Sequence, residues 1–511
     1  MINLIVKNKF AFISFVSGFT LMAVEIIASR IIAPIVGSSL YTWTAIIGIV
    51  LLGISLGNYF GGKTIDKNPT QKVISYSLIS SAISISLIPL LAIIVEPIVF
   101  WNISLLLKVS LIAIFLFFLP SFFLGTIFPS IIRLNLNILS SAGQNAGIIS
   151  GLGALGSIFG TFFTGFFLIG FIGSSISLYI LATILVLTSF IFNQNIKNTS
   201  LAFLLILTVW IIYSYQTNKK ENLIFESESN YYNIKVAKTT YNNTDTKVLF
   251  LDLDSHSLEG MDDKKIGIYQ EISPILNAFT KDIKNALVIG GGSYQIPKDL
   301  VRLFGANVTV IEIDPEVTRT ADNFFDAKKY NMQTHNLDGR LFLKTNGKKY
   351  DVIFADAFNS FISMPWYMAT EENFELSRKS LSKNGIYALS LISSIDEKYN
   401  RLYQSLLKTF AEVFDNYTVL ALGKENNDIQ NIIIIGKNSD EKIDEEKLNF
   451  FISEFAKEEK GGMRVKAFLH PNPNADAIVL RDDFAPVERL TSKLVDGYIN
   501  QYTRWAYSII K

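Results

Sequence analysis

Not one of the 511 residues is a cysteine. Disulfides, thiolate metal sites and cysteine nucleophiles are therefore excluded. Histidine is nearly as scarce. Only His256, His335 and His470 occur, and their wide scatter gives no reason to expect zinc or any other metal. Charge is missing from one long part of the chain. Residues 1–216 hold twelve charged side chains, nine basic and three acidic (Glu25, Asp66, Glu96). That leaves 37 of the 46 basic and 42 of the 45 acidic residues to the remainder. The formal net charge of +1 thus conceals an apolar part and a slightly acidic, water-soluble part. No basic patch points to nucleic acid.

What the first part has instead is hydrocarbon. Apolar runs of spanning length lie near 10–35, 41–61, 73–95, 103–128, 146–172 and 174–193, with a shorter seventh at 201–215. Residues 1–216 read as a multispan α-helical membrane domain of six full spans, with 201–215 interfacial or tilted. The first run continues past any small-residue cleavage site, so it does not read as a cleaved signal peptide. Lys7 and Lys9, and then Lys63, Lys67 and Lys72, belong on the cytoplasmic side by the positive-inside rule. Six spans return the chain to the cytoplasm; seven leave it outside. Gly143, Gly147, Gly151, Gly156 and Gly160 form a small-residue series suited to close helix packing, or to a gliding surface for transport. Glu25 and Arg30, in or near the end of the first span, are either a functional pair of ionisable groups or a structural one, with Arg30 ion-paired or reaching for the surface.

The second part is organised around Asn285–Glu312. Ala286–Ile289 is a short apolar strand ending in Gly290, Gly291 and Gly292. Pro297–Phe304 has helical spacing, and Asn307–Ile311 is a second strand ending in Glu312. Glycines let backbone approach a ligand where a Cβ would clash, and an acid at the next strand tip can bind two ribose hydroxyls. Met332–Asn336 leads to Asp338-Gly339, Tyr350–Ala355 leads to Asp356, and Gly385–Leu391 and Asn431–Ile435 follow. Strands alternating with helices imply a largely parallel sheet, with ligands beyond the strands' carboxyl ends. Gly290–Gly292, Glu312, Asp338 and Asp356 each close a strand and are expected to converge on one cleft. The pattern alone does not separate a dinucleotide from S-adenosylmethionine or its decarboxylated form. Ahead of it, Tyr232–Ala237 and Lys247–Leu251 read as two strands around an Asn-rich turn.

Residues 223–440 resemble the polyamine aminopropyltransferases, the spermidine synthase family. The likeness rests on Tyr269-Gln270-Glu271, Gly290-Gly291-Gly292, Glu312-Ile313-Asp314, Asp338-Gly339, Asp356, Pro365 and Thr370-Glu371-Glu372-Asn373-Phe374. Leu21–Pro34, Gly61-Gly62-Lys63 and Asp482–Val487 extend it to the membrane-fused bacterial members. The resemblance implies a methyltransferase-like Rossmann α/β domain preceded by a small β domain. It implies transfer of an aminopropyl group from decarboxylated S-adenosylmethionine to an amine. Asp356 becomes the base that takes the amine's proton, and Tyr269 helps hold that amine. Glu312 takes the ribose, Asp338-Gly339 the adenine side, and Gly290–Gly292 the sulfonium tail. Gln270, His256 and Asn359 fall at substrate-facing positions. Three residues depart from the family pattern. Ser293 replaces an acid after the glycines, Asn359 replaces a second acid after Asp356, and His256 stands where a glutamine is usual.

The expected organisation is a membrane domain at 1–216, a small β domain at 222–277, a catalytic α/β domain at 278–440 and a helical extension at 441–511. Asp482-Asp483 is expected to cap the helix after it or to line the cleft; Trp505 and Tyr507 are expected to pack on the core or to touch the membrane surface. A multi-pass protein in the cell membrane is implied, with its catalytic domain in the cytoplasm where adenosyl sulfoniums are made. A homodimer is expected from the family. Ser293 keeps an S-adenosylmethionine-dependent methyltransferase open as an alternative. Glu25, Arg30 and the glycine series keep open a polyamine- or nucleoside-sensing transporter. A dinucleotide-dependent oxidoreductase gives Tyr269 and Asp356 no role.

Overall fold

The computed structural model describes residues 9–510, apart from 102, 136–141, 193–195, 218–220, 242, 253, 262–271, 281, 358–364, 424–428, 458–463 and 499–503. The chain forms two compact units. One is Met1–Glu221 with Glu228–Asn230; the other is Asn222–Ser227 with Tyr231–Lys511.

The first unit is helical: α1 (Lys9–Val36), α2 (Leu40–Lys67), α3 (Gln71–Val95), α4 (Leu105–Asn135), α5 (Ala142–Phe163, running on through a π-turn at Thr164–Leu168 to Ile172), α6 (Ser174–Ser189) and α7 (Ile196–Thr217). Six of these stretches are long and apolar enough to cross a membrane. The short one is α6, with 16 residues, and not the run at 201–215, which lies in the 22-residue α7. Two local causes reverse the expectation. Gly173, at φ +85°, breaks the chain between Ile172 and α6. Helix α7 starts at Ile196, upstream of the apolar run, because Lys197, Asn198, Thr199 and Ser200 are polar yet compatible with a helix.

The glycine series also divides. A Cβ on Gly156 or Gly160 would overlap the carbonyl oxygens of Phe15 and Phe19 on α1, whereas Gly143, Gly147 and Gly151 have no atom within 4 Å of that position. The step from Gly151 to Gly156 is five residues, which turns a helix face by about 140°. Four-residue spacing on either side of that step therefore describes two faces. Arg30 is ion-paired within this unit. Its Nε lies 3.8 Å from Oε1 of Glu228, and a terminal nitrogen donates to the carbonyl of Ser229. Glu228 also accepts from the backbone N–H of Ser174 (2.9 Å) and from the Ser174 hydroxyl, and so fixes the start of α6.

The second unit begins with four strands where the sequence suggests two: β1 (Leu223–Glu228), β2 (Asn233–Tyr241), β3 (Thr244–Leu251) and β4 (Asp254–Gly260), in the order β1-β2-β3-β4. Polar β1 and β4 lack the apolar alternation that makes β2 and β3 visible. The main sheet has eight strands. In chain order its elements are β5 (Asn285–Ile289), α8 (Gln295–Phe304), β6 (Asn307–Ile311), α9 (Pro315–Phe324), β7 (Gln333–His335), α10 (Gly339–Thr345), β8 (Tyr350–Ala355), α11 (Glu371–Lys379), β9 (Leu381–Ser393), α12 (Arg401–Val413), β10 (Tyr417–Gly423), β11 (Gln430–Lys437), α13 (Glu445–Lys457), β12 (Arg464–Leu469), α14 (Val487–Tyr498) and α15 (Arg504–Ile510). The order is β12-β10-β11-β9-β8-β5-β6-β7. Strands β5 to β9 run parallel, and β11, β10 and β12 extend the sheet antiparallel.

Both faces of this sheet are covered, so its central strands are continuously apolar. One face packs Ile289, Ile353 and Leu389 against Phe374, Phe410 and Phe414. The other packs Val288, Val310 and Phe354 against Ile275, Ile296 and Leu300. Helix α8 stops where Gly305 adopts a left-handed conformation; its N–H bonds Val301 O and the Ala306 N–H bonds Leu300 O. Trp505 packs with Tyr241 and lies beside the cluster of Ala237, Val248 and Phe250. The side chain of Tyr507 is outside the described residues.

Candidate active site

Strand β5 has β6 on one side and β8 on the other. The strand order reverses there, which opens a crevice at the carboxyl ends of these strands. The glycine turn fills it. Gly290 has φ +95°, and a Cβ there would overlap the carbonyl oxygen of Asp356, while one on Gly291 would run into the Tyr294 ring. Backbone therefore lies on backbone between the ends of β5 and β8. The Asp356 N–H also bonds Ile289 O at 2.8 Å, which fixes the start of the loop after β8.

Glu312 ends β6 and is buried. Its carboxylate accepts from the N–H groups of Gly291 (2.7 Å) and Asp314 (3.0 Å). Burial pushes its pKa up and these N–H groups oppose the rise. Asp314 caps α9 by accepting from Glu316 N at 2.9 Å. Asp338 caps α10: one oxygen accepts from Leu341 N and the other from the Tyr367 hydroxyl, each at 2.9 Å. Gly339 lies against β5, where a Cβ would overlap Ile289 Cγ2. Gly290–Gly292, Glu312, Asp338 and Asp356 thus share the rim of one sheet. Tyr269, Gln270 and Asn359 lie outside the described residues.

Two departures from the family pattern meet at the glycine turn. Ser293 is buried and its Oγ has no hydrogen-bond partner, while its N–H points to Ser257 Oγ at 3.4 Å. Ser257 follows His256 on β4. Burial pushes the His256 imidazole down to about 4, against the opposing pull of the Asp356 carboxylate.

Three further residues were missed in the sequence pattern. Tyr231 lies between β1 and β2, and after burial its hydroxyl is pushed up by the charges of Asp314, Asp338 and Glu312. The adjacent Tyr231-Tyr232 pair is the one local hint of it. Tyr367 is 29 residues from the carboxylate it bonds. Arg340 makes a two-pronged pair with Asp482, at 2.7 and 2.6 Å, and also donates to Tyr367 O. Asp482 accepts from the Thr370 hydroxyl as well. The acid therefore clasps α10 through Arg340, and its side-chain bonds go to Arg340 and Thr370 and not to the start of α14. The reason is the nearby guanidinium, a stronger partner than a helix N-terminus.

Arg340 holds the Asp482 carboxyl below its usual range, helped by Thr370. A carboxyl depressed on folding adds stability above its unfolded pKa of about 4 and loses it as pH falls through the lower folded value. Asp482→Asn is expected to lower the thermal midpoint at pH 7 and to flatten its fall below about pH 4. Superimposable acid limbs for the two proteins would remove the clasp from the account.

Residues 268–441 match the profile of the spermine/spermidine synthase domain family. The chain is 27% identical over 302 residues to the "Probable polyamine aminopropyl transferase" of Bifidobacterium longum, covering 54% of this chain and 64% of that protein. It therefore spans less than two thirds of that relative. It is 20% identical over 414 residues to "Polyamine aminopropyltransferase 2" of Aquifex aeolicus, covering 77% of this chain and 81% of that protein. Among solved structures it is similar to a "probable spermidine synthase" from Corynebacterium glutamicum, at 20% identity and a TM-score of 0.42, covering 51% of this chain and 97% of that chain. Residues 268–441 of this chain thus form a spermine/spermidine synthase domain, and a unit of apolar helices precedes it in the sequence.

Proposed function

We propose that the protein is a membrane-bound aminopropyltransferase that moves the aminopropyl group of decarboxylated S-adenosylmethionine to an amine and releases methylthioadenosine. The convergence of Gly290–Gly292, Glu312, Asp338 and Asp356 on the rim beside β5 carries this reading. In it Glu312 holds the ribose hydroxyls, Asp338 the adenine amino group, and the glycine turn passes close to the sulfonium tail. Asp356 takes a proton from the attacking ammonium, because only the neutral amine has the lone pair that displaces sulfur. Tyr269 and Gln270 hold that amine, with Asn359 and His256 at the same end.

The apolar unit anchors the protein as a multi-pass membrane protein, with the synthase domain on the cytoplasmic side and two copies as the working assembly. Residues 222–277, 278–440 and 441–511 then act as β domain, catalytic domain and extension. One observation favours a second reading. Ser293, in place of an acid, presents no charge to a cationic tail, which suits S-adenosylmethionine and methyl transfer.

The test is mass spectrometry of the nucleosides formed by the detergent-purified protein with each donor and a mixture of amines. Methylthioadenosine from the decarboxylated donor is the expected product. S-adenosylhomocysteine from the other donor would move the protein to the methyltransferases. Binding of either donor without any product would leave a sensor.

A further inference from the structure

We propose that His256, oriented by Asp254 and Tyr498, is a relay that drains the proton from Asp356 after each transfer. This rests on the aminopropyl-transfer reading. Strand β4 pairs Ser257 with Leu249 and Ser255 with Phe250, so His256 is the extra residue of a bulge. A bulge leaves one residue outside the ladder and re-aims its side chain. The imidazole is 19% exposed, and its Nε2 is buried without a hydrogen-bond partner. That nitrogen lies 3.9 Å from Asp254 Oδ2. Asp254 is itself buried, and its other oxygen accepts from the Tyr498 hydroxyl at 2.9 Å, across 244 residues. On the other side, Ser293 N–H to Ser257 Oγ ties this strand to the glycine turn, and Gly290 in that turn lies under the Asp356 carbonyl.

The proton balance requires an exit. The acceptor enters as an ammonium and gives one proton to the Asp356 carboxylate. Its lone pair forms the new C–N bond, while the C–S pair goes to sulfur and leaves a neutral thioether. The product nitrogen is again an ammonium, so one proton per turnover remains on Asp356. It passes to the His256 imidazole, and the imidazolium, oriented by Asp254 and disfavoured by burial, releases that proton to water through the exposed part of the ring, which restores the starting neutral form. An imidazole that burial keeps neutral does not retain what it carries. The glutamine usual at this position hydrogen-bonds but cannot take up a proton and release it.

His256→Gln, in the full-length protein with the decarboxylated donor and 1,4-diaminobutane, is therefore expected to lower kcat about tenfold or more, with the donor KM unchanged. His256→Ala should regain rate when imidazole is added to the buffer. Asp254→Asn should lower kcat in the same way. His256→Gln at the wild-type rate would overturn the relay and leave the transfer reading intact, as would His256→Ala that is slow and not rescued, which marks a packing role. A wild-type protein that forms no methylthioadenosine overturns both.

Discussion

Replacing Asp356 by asparagine is expected to slow aminopropyl transfer by about 10²–10⁴, the usual contribution of a positioned base. Donor affinity should stay within a few-fold. The reasoning is geometric. The backbone of Asp356 is held at Ile289 O and over Gly290, and neither contact uses its carboxylate. Asparagine has the same shape, so the turn and the end of β8 keep their positions. The groups assigned to the nucleoside, Glu312 and Asp338, stand on other strands with bonding of their own. What is lost is the group that turns an ammonium into a nucleophile. The loss should therefore lie in kcat and not in the donor's KM. Raising the pH should recover part of it, because solvent then deprotonates more of the amine. Single-turnover measurement of methylthioadenosine release between pH 7 and 10 checks this. An Asp356→Asn enzyme with unchanged turnover would remove Asp356 from the chemistry.

The largest effect on stability is expected at Glu259→Ala. Glu259 on β4 and Lys298 on α8 are both 8% exposed and meet through both carboxylate oxygens, at 3.0 and 2.9 Å. Lys298 also donates to the Phe325 carbonyl at 2.8 Å. Removing the acid leaves a buried ammonium, and breaking such a pair typically costs about 3–5 kcal/mol. The pair joins the strand that carries His256 to the helix that follows the glycine turn. Loss of stability and weaker donor binding should therefore appear together. The double variant Glu259→Leu/Lys298→Met replaces ions by apolar groups and is expected to be neutral or more stable by about 1–4 kcal/mol. Urea titration of the purified full-length protein, followed through the unfolding of the synthase domain, reads both. A loss below about 1 kcal/mol for Glu259→Ala would mean that water reaches Lys298 and solvates it.

Much of the chain was legible because its signals are local. The glycine turn, the helix after it and the acid at the next strand tip lie within Asn285–Glu312, and the structure builds them as strand, turn, helix and strand. Long apolar runs likewise mark the helices, although not their ends: polar residues extended α7 and one glycine shortened α6. What could not be read depends on partners far apart in sequence. Arg340 finds Asp482 across 142 residues, and Asp254 finds Tyr498 across 244. Nothing around Asp482 distinguishes a clasp from a cap. Strand β12 was hidden because it is only six residues long and carries Arg464 and Lys466 on one face at the sheet's edge, where charge is tolerated. The glycine series misled for a different reason: equal spacing suggests one face, and a single five-residue step makes it two.

The crossing of the chain between its two units limits how this protein can be recombined. Between Glu221 and Tyr231 the backbone changes unit three times, and Glu228–Asn230 folds with the helices while its neighbours on both sides build the β sheet. A graft of the synthase domain onto a foreign anchor, cut at Asn222, would carry away the acid that Arg30 and Ser174 depend on. The boundary between the units is therefore not a single cut in the sequence, since Glu228–Asn230 belongs with the helices. Lineages that exchange one for the other must rewrite β1 at the same time, and an engineer who wants a soluble synthase must give Glu228 a new environment first.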